Sequence, residues 1–292
     1  MSRKPPTFDQ VCEKAKQLPC SPMLLPRLIS VLSKEDSSAH ELEEIIMIDP
    51  ALASSTLRLA NSAFFASASP VDSLSEAILR LGQREIYRLA ALSLTGRWMS
   101  VDVDGYRWEP GDFCRHSLCR AIAAEHLAEI RHLADPSTAY TAGLTCTVGK
   151  LALAFACTDW FADIRGHQTA RNCTWLEAER AILGYDYTQT GARLLKDWRF
   201  PPTLVAAAEF QLAPHTSPEE LRPLLATLHA AQYLATAMGA GVSEEGFLFS
   251  IDGEFLTEWG FTSDVLDEAL PVVLERAFSV LHDRLTTGAV KF

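Results

Sequence analysis

Apolar positions recur at helical spacing along almost the whole chain, and no segment shows the strict alternation of a half-buried strand. Leu42, Ile45 and Ile46, for example, fall on one face of a predicted helix that ends near residue 48. Asp49-Pro50 then predicts an N-cap with proline at the first helical position, where a missing N–H is tolerated. The pattern therefore predicts an all-α protein.

Capping residues mark where many of these helices begin and end. In a capping box, two side chains each satisfy a free amide at the helix start, and glycine suits a helix end. Gly82 and Gly184 are predicted ends, and the capping boxes are Ser38-x-x-Glu41, Ser73-x-x-Glu76 and Thr174-x-x-Glu177. Further helices are predicted over residues 83–99, 112–133, 137–157, 219–238 and 264–285.

A polar segment with Gly and Pro interrupts the helical pattern at residues 101–110 and predicts a subdomain boundary. We accordingly predict an N-terminal extension over residues 1–17, an N-terminal helical subdomain over residues 18–100, and a second helical subdomain over residues 101–292 with C-terminal helices. The N-terminal subdomain is expected to pack on a helical bundle that the second forms.

Composition and charge narrow the function classes. The chain has 292 residues, a 48% hydrophobic content and a net charge of −11, which opposes binding to DNA, RNA and acidic lipid. The longest unbroken apolar run, residues 151–157, is far shorter than the ~20 residues of a membrane-spanning helix. The N-terminus lacks the apolar core of a signal peptide. We therefore predict a cytoplasmic protein that binds neither nucleic acid nor membrane.

The seven cysteines are an odd number and include no Cys-x-x-Cys pair of the kind used for structural zinc. Reduced and mostly buried thiols are the predicted state. No nucleotide-binding glycine motif and no nucleophile elbow occurs in the sequence.

Several motifs, in this order, resemble the HDOD domain family. The N-terminal motifs are Leu25-Pro26, Ile45-Ile-Met-Ile-Asp49-Pro50, Leu57-Arg-Leu-Ala-Asn61-Ser62 and Leu81-Gly82. The later motifs are Phe113-Cys-Arg-His116, Ala142-Gly143-Leu144 with Gly149-Lys150-Leu151, Glu179 with Leu183-Gly184-Tyr185-Asp186, and Trp198-x-Phe200-Pro201. The resemblance covers at least residues 18–214 and implies an HD-like helical bundle related to metal-dependent phosphohydrolases.

The resemblance also implies a degenerate HD pocket, formed by His116, Cys146, Thr147 and Gln232. Hydrolases of this type hold metal with His, a His-Asp dyad and a final Asp, but the dyad positions here are Cys146 and Thr147, and the final Asp aligns near Gln232. Neutral side chains give a hard divalent ion little charge compensation. We therefore expect no bound metal, no cofactor, no catalytic residues and no hydrolase activity.

Other interpretations of these residues remain open at this point. The segment Thr145-Cys146-Thr147 could be small residues packed at a helix interface, with hydroxyls bonded to the preceding turn. His116 could be a buried histidine bonded to a neighbouring helix. Alternatively, His116 and Cys146 could hold a reduced metal site in a divergent phosphohydrolase, or the pocket could bind a nucleotide or other small ligand as a sensor.

The function that the resemblance implies is a non-catalytic bacterial signalling module that acts through protein–protein interaction. Its expected partners act in trans and include a response regulator or a cyclic-dinucleotide enzyme, and a homodimer is also compatible. Asn61, Phe64, Phe65 and Trp108 are the candidate partner-binding residues, at the edge of an apolar groove. For Asn61, closing a helix and tying down the following turn is the alternative role.

Overall fold

A computed structural model describes residues 4–18, 24–32, 39–62, 65, 70–96, 103–109, 111–241 and 251–286. Within these ranges the secondary structure is helical, without a strand, which confirms the all-α prediction. The chain divides into two compact units. We call Pro19–Trp98 the small unit, and Met1–Leu18 together with Met99–Phe292 the large unit.

The described residues of the small unit form four helices around an aliphatic core. Leu28, Leu42, Ile46, Leu52 and Ile86 are each 0% exposed, because the apolar faces of the amphipathic helices turn toward one another. The helices are α2 (Leu24–Leu32), α3 (Ala39–Met47), α4 (Pro50–Ala60) and α5 (Leu74–Gly96).

Two predicted caps and one predicted break are present in the small unit. The Leu52 amide donates to Asp49 Oδ1 at 3.3 Å, and the Glu76 amide donates to Ser73 Oγ at 3.2 Å. Gly82 has a φ of 76° and interrupts α5, where the sequence predicts a helix end. The predicted cap at Ser38 lies outside the described residues.

The large unit contains the remaining described helices, arranged around α6 (Asp112–Arg131). This helix is buried on most of its circumference from Phe113 to Ala128, and it packs against α7, α13 and α15. The other helices of the large unit are α1 (Phe8–Ala15), α7 (Pro136–Thr145), α8 (Val148–Ala156), α9 (Phe161–Arg171), α10 (Trp175–Leu183), α11 (Tyr187–Asp197), α12 (Pro202–Phe210), α13 (Arg222–Ala237), α14 (Gly253–Glu258) and α15 (Ser263–Thr286).

The stretch predicted as one helix over residues 137–157 is two helices, so that prediction is wrong in this detail. α7 ends at Thr145, a turn follows at Cys146 and Thr147, and α8 begins at Val148. The turn directs α8 against α11 at very close range, since a Cβ added at Gly149 would lie 1.8 Å from the Tyr187 carbonyl oxygen.

By length and hydropathy alone, residues 136–156 would suffice for a membrane span. In the structure, 89% of that window is buried inside the protein. A core helix of a helical bundle meets the same two criteria, and α7 and α8 have that role here.

The N-terminal segment that the sequence division treats as an extension contains α1, which packs on α8 and α11. A capping box of Thr7 and Gln10 begins α1. The Tyr185 hydroxyl donates to the Pro6 carbonyl at 2.8 Å, and the Tyr185 ring lies edge-on to Phe8 with the ring centroids 5.4 Å apart. These contacts make α1 part of the large unit.

Candidate functional site

Two residues of the predicted HD pocket, His116 and Cys146, lie near a buried arginine on α6. His116 and Arg120 are four residues apart, so their side chains lie on the same helix face. Each is only 1% exposed. We call His116, Arg120, Cys146 and Gln211 the Arg120 centre.

Arg120 is held in place by one well-defined hydrogen bond. Its Nη1 donates to Gln211 Oε1 at 2.6 Å, and the Gln211 amide nitrogen donates in turn to the Cys146 carbonyl at 2.7 Å and the Ala208 carbonyl at 2.9 Å. Arg120 Nε and Nη2 are buried and have no hydrogen-bond partner among the described residues. The guanidinium is therefore positioned but only partly satisfied.

His116 is a buried, neutral imidazole. Its Nδ1 lies 3.1 Å from the Ala240 carbonyl oxygen, which can only accept, so Nδ1 carries the proton. Burial, followed by the nearby charges of Lys150 and Arg120, lowers the pKa of His116 from 6.5 to about 3. The bond to a neighbouring segment agrees with the interpretation of His116 as a buried structural histidine, but Nε2 has no partner among the described residues.

The two dyad positions contribute neutral groups. Cys146 is 0% exposed, and burial raises its pKa from 9.0 to about 11, so the thiol keeps its proton at neutral pH. Thr147 Oγ1 lies 3.5 Å from Ser117 Oγ. Thr145 donates to the Thr141 carbonyl at 2.7 Å, as the packing interpretation of this segment predicts.

Gln232, which was predicted to stand at the position of the final Asp, bonds along its own helix. Its Nε2 donates to Thr236 Oγ1 at 3.3 Å. His229, one turn earlier on α13, is buried, and burial together with the charge of Arg120 lowers its pKa. The Asp252 amide donates to His229 Nε2 at 2.9 Å.

No group of three or more His, Cys, Asp or Glu side chains that could hold a metal ion occurs in the described part of the chain. The residue that sequence reasoning missed is Arg120, a positive charge close to His116 and Cys146. Its spacing of four residues from His116, within an apolar stretch of α6, was the available signal.

A comparison with known protein families matches residues 18–214 to the HDOD domain. This chain belongs to the HDOD family. The match covers the residues for which the sequence motifs predicted it, and it confirms the resemblance.

Solved structures support the HDOD fold. A candidate signal transduction protein from Marinobacter aquaeolei VT8 has a TM-score of 0.72 at 24% identity, covering 96% of this chain and 61% of that chain. An HDOD domain protein from Geobacter sulfurreducens has a TM-score of 0.65 at 18% identity, covering 96% of both chains. A candidate phosphohydrolase from Shewanella amazonensis SB2B has a TM-score of 0.66 at 25% identity, covering 91% of this chain and 93% of that chain.

One curated relative, an uncharacterised protein of Treponema pallidum (strain Nichols), is 22% identical over 218 residues. The match covers 75% of this chain but only 42% of that protein. The chain thus spans about two fifths of the length of this relative and 61% of the Marinobacter chain.

A second buried polar cluster of this HDOD protein lies around Glu179, which is 0% exposed. Its Oε1 accepts from the Tyr106 hydroxyl at 2.7 Å and the Trp175 indole at 2.8 Å, and its Oε2 accepts from the Tyr187 amide at 2.8 Å. Lys150 Nζ lies 5.5 Å from the Tyr106 ring centroid and 4.8 Å from that of Tyr187. We call these residues the Glu179 centre, and its hydrogen bonds tie α10 and α11 to the segment before α6.

The predicted partner-binding residues are not equally available. Trp108 is only 3% exposed, and its ring lies 4.7 Å from Lys150 Nζ and 5.4 Å from the His116 ring, so it is a core residue of the large unit. The expectation that Trp108 lies at an exposed edge is therefore wrong. Phe65 is half-buried, and Phe64 lies outside the described residues.

The Asn61 side chain forms hydrogen bonds to the backbone within the small unit. Its side-chain nitrogen donates to the Val71 carbonyl at 2.8 Å and the Leu57 carbonyl at 3.0 Å, and its oxygen accepts from the Val71 amide at 2.7 Å. The amide thus links the end of α4 to the segment before α5. This role is the alternative that the sequence left open, although the bonds go to Val71.

Proposed function

We propose that this HDOD protein is a non-catalytic signal-transduction module that acts through contacts with other proteins. The observation that carries the proposal is the Arg120 centre, where two positions compared with metal ligands hold a neutral imidazole and a protonated thiol, beside a buried guanidinium. A hydrolytic centre of this kind needs anionic or basic ligands around a dication with an open position for water.

Charge argues against a divalent ion at this place. Arg120 is 1% exposed, and like charges in a medium of low dielectric constant repel strongly. The Cys146 thiol, with a pKa raised to about 11, supplies a thiolate only at a free-energy penalty. The Shewanella protein is named a candidate phosphohydrolase, whereas the Marinobacter protein is named a candidate signal transduction protein. The Arg120 centre favours the second activity for this chain.

Metal analysis and turnover measurements test the non-catalytic part. We expect purified protein to hold less than stoichiometric Zn, Fe or Mn, and to leave a panel of phosphoesters intact in the presence of each metal. Stoichiometric metal that is lost in His116→Ala, together with phosphoester turnover, would refute the proposal.

Exposed apolar side chains of the small unit are the proposed contact points for a partner. Leu79 is 73% exposed, Met47 61% and Ile48 57%. Large exposed aliphatic groups on a protein surface are typical of interaction sites when they cluster. The proposed partner is a signalling protein such as a response regulator or a cyclic-dinucleotide enzyme, and the net charge of −11 argues against nucleic acid.

Site-specific photo-crosslinking in cells tests this contact. A crosslinker at Leu79 should yield a discrete adduct that contains a signalling protein, whereas one at Ser54, an exposed polar position on α4, should not. Equal adducts at Leu79 and Ser54, or none at Leu79 and Met47, would contradict the proposal. We also propose a cytoplasmic location, which fractionation of cells expressing the chain would check.

A further inference from the structure

The two unsatisfied nitrogens of Arg120 form one edge of the guanidinium. Nη1 is engaged by Gln211 at 2.6 Å, which leaves Nε and Nη2 without a partner among the described residues. In a guanidinium, the Nε–H and Nη2–H bonds point in the same direction. This pair is one of the edges that grip the two oxygens of a carboxylate or phosphate.

The Nε–Nη2 edge of Arg120 is buried, and no described carboxylate forms an ion pair with it. Arg120 is 1% exposed, both nitrogens are closed to solvent, and no ion pair joins Arg120 to a described carboxylate. A buried cation without a partner is strongly unfavourable, so positions of this kind normally hold an anion. Lys150, also 1% exposed, adds positive potential at His116, as the lowering of the His116 pKa shows.

His116 supplies a second unsatisfied group on the same face of α6. Because Nδ1 donates to the Ala240 carbonyl, Nε2 of the neutral ring carries a lone pair and can only accept a hydrogen bond. That nitrogen is buried and has no partner among the described residues. A ligand that satisfies both side chains therefore offers two acceptor oxygens and one hydroxyl.

We propose that the Arg120 centre binds a phosphate group, with two phosphate oxygens on the Nε–Nη2 edge of Arg120 and a protonated phosphate oxygen donating to His116 Nε2. The group is inorganic phosphate or the terminal phosphate of a small ligand. A deprotonated carboxylate could bind the Arg120 edge but brings no hydroxyl for His116. Cys146, at 0% exposure, and the neighbouring Thr147 contribute no competing negative charge.

This inference goes beyond the proposed function, because it assigns a ligand to the large unit and makes no statement about partner proteins. Either one can fail alone. Phosphate binding with no crosslinked partner would leave the inference standing, and a partner adduct without phosphate binding would leave only the proposed function.

Titration of the full chain with inorganic phosphate, at constant ionic strength adjusted with chloride, tests the site. We expect saturable binding by calorimetry, a rise in the melting temperature, and broadening of the phosphate ³¹P resonance. Acetate at the same concentrations should raise the melting temperature less. No saturable binding of phosphate to the native chain would overturn the proposal, and equal stabilisation by acetate would overturn the assignment to phosphate.

Three variants locate the binding. Arg120→Lys keeps the charge but loses the paired edge, and should weaken the phosphate affinity at least ~10-fold, while Arg120→Met should abolish binding. Arg193→Met, which removes a half-exposed arginine paired with Asp197 at 3.2 Å, should bind like the native chain. Native-like binding by Arg120→Met would refute the proposal.

A measurement on the native chain covers the case in which the Arg120 variants fail to fold. In protein labelled with ¹⁵N-arginine, saturating phosphate should shift one slowly exchanging Arg Nε–H resonance downfield, since that proton gains a charged acceptor. His116→Gln, whose side chain at this position can also accept through its oxygen, should retain that shift with reduced affinity. An Nε–H spectrum that phosphate leaves unchanged would also overturn the proposal.

Discussion

The Glu179 centre and the Arg120 centre of the large unit each bury a charged side chain, but they differ in how far hydrogen bonds satisfy it. Around Glu179, both carboxylate oxygens accept well-formed hydrogen bonds of 2.7–2.8 Å from Tyr106, Trp175 and Tyr187. Around Arg120, two guanidinium nitrogens and one imidazole nitrogen have no partner among the described residues. Because buried polar groups are normally satisfied, the first centre is built for stability and the second for a ligand.

The largest loss of stability is expected from a substitution at Glu179. Glu179→Ala removes the acceptor for three buried donors, and should lower the free energy of unfolding by about 3–5 kcal/mol. Urea titration followed by tryptophan fluorescence checks this, since five of the six tryptophans lie in the large unit and only Trp98 lies in the small unit. A loss below about 1 kcal/mol would remove the basis for calling this centre structural.

A somewhat smaller loss is expected where α8 meets α11, next to Lys150. Gly149→Ala places a Cβ 1.8 Å from the Tyr187 carbonyl oxygen, and this backbone has to move, which should destabilise the protein by about 3 kcal/mol. Gly166→Ala is the matched control, because it lies within α9 with nothing within 4 Å of its added Cβ. The control should be stabilised by roughly 0.5–1 kcal/mol, as expected for alanine in place of glycine in a helix. Equal effects of the two substitutions in urea titrations would contradict the close approach.

His116 of the Arg120 centre should make the stability of the protein depend on pH. Its folded-state pKa, about 3, lies below the unfolded value of 6.5, so below pH 6.5 the unfolded chain takes up a proton that the folded chain does not. This residue therefore makes the protein less stable as the pH falls from 6.5 toward 3, by at most about 1.4 kcal/mol per pH unit. His116→Gln should reduce the slope of unfolding free energy against pH between 6 and 4, and an unchanged slope would count against a buried neutral imidazole.

The smallest effect on stability is expected at Arg120 itself. In phosphate-free buffer, Arg120→Met removes an uncompensated buried charge and also leaves Gln211 Oε1 without its donor. These changes oppose each other, so the free energy of unfolding should stay within about 1 kcal/mol of the native value. If Arg120→Met lowered the free energy of unfolding as much as Glu179→Ala does, both centres would be stabilising, and the proposed difference between them would be wrong.

Much of the fold followed from local rules in the sequence. The predicted caps at Asp49, Ser73 and Thr174 all begin helices in the structure, and Gly184 ends α10 in the left-handed conformation. No helix was predicted from the sequence at α1, α2, α9 or α14. The break between α7 and α8 was not predicted. It allows Gly149 to contact Tyr187 on α11, which is distant from Gly149 in the sequence.

The sequence by itself determined the helical class and most of the predicted helix boundaries, since each depends on residues close together in the chain. Only the tertiary structure decided that Trp108 is buried, that Glu179 is fully bonded and that Arg120 is not. The physical reason is that burial and hydrogen-bond satisfaction are properties of neighbours in space. Gln211, which holds Arg120, lies 91 residues away along the chain.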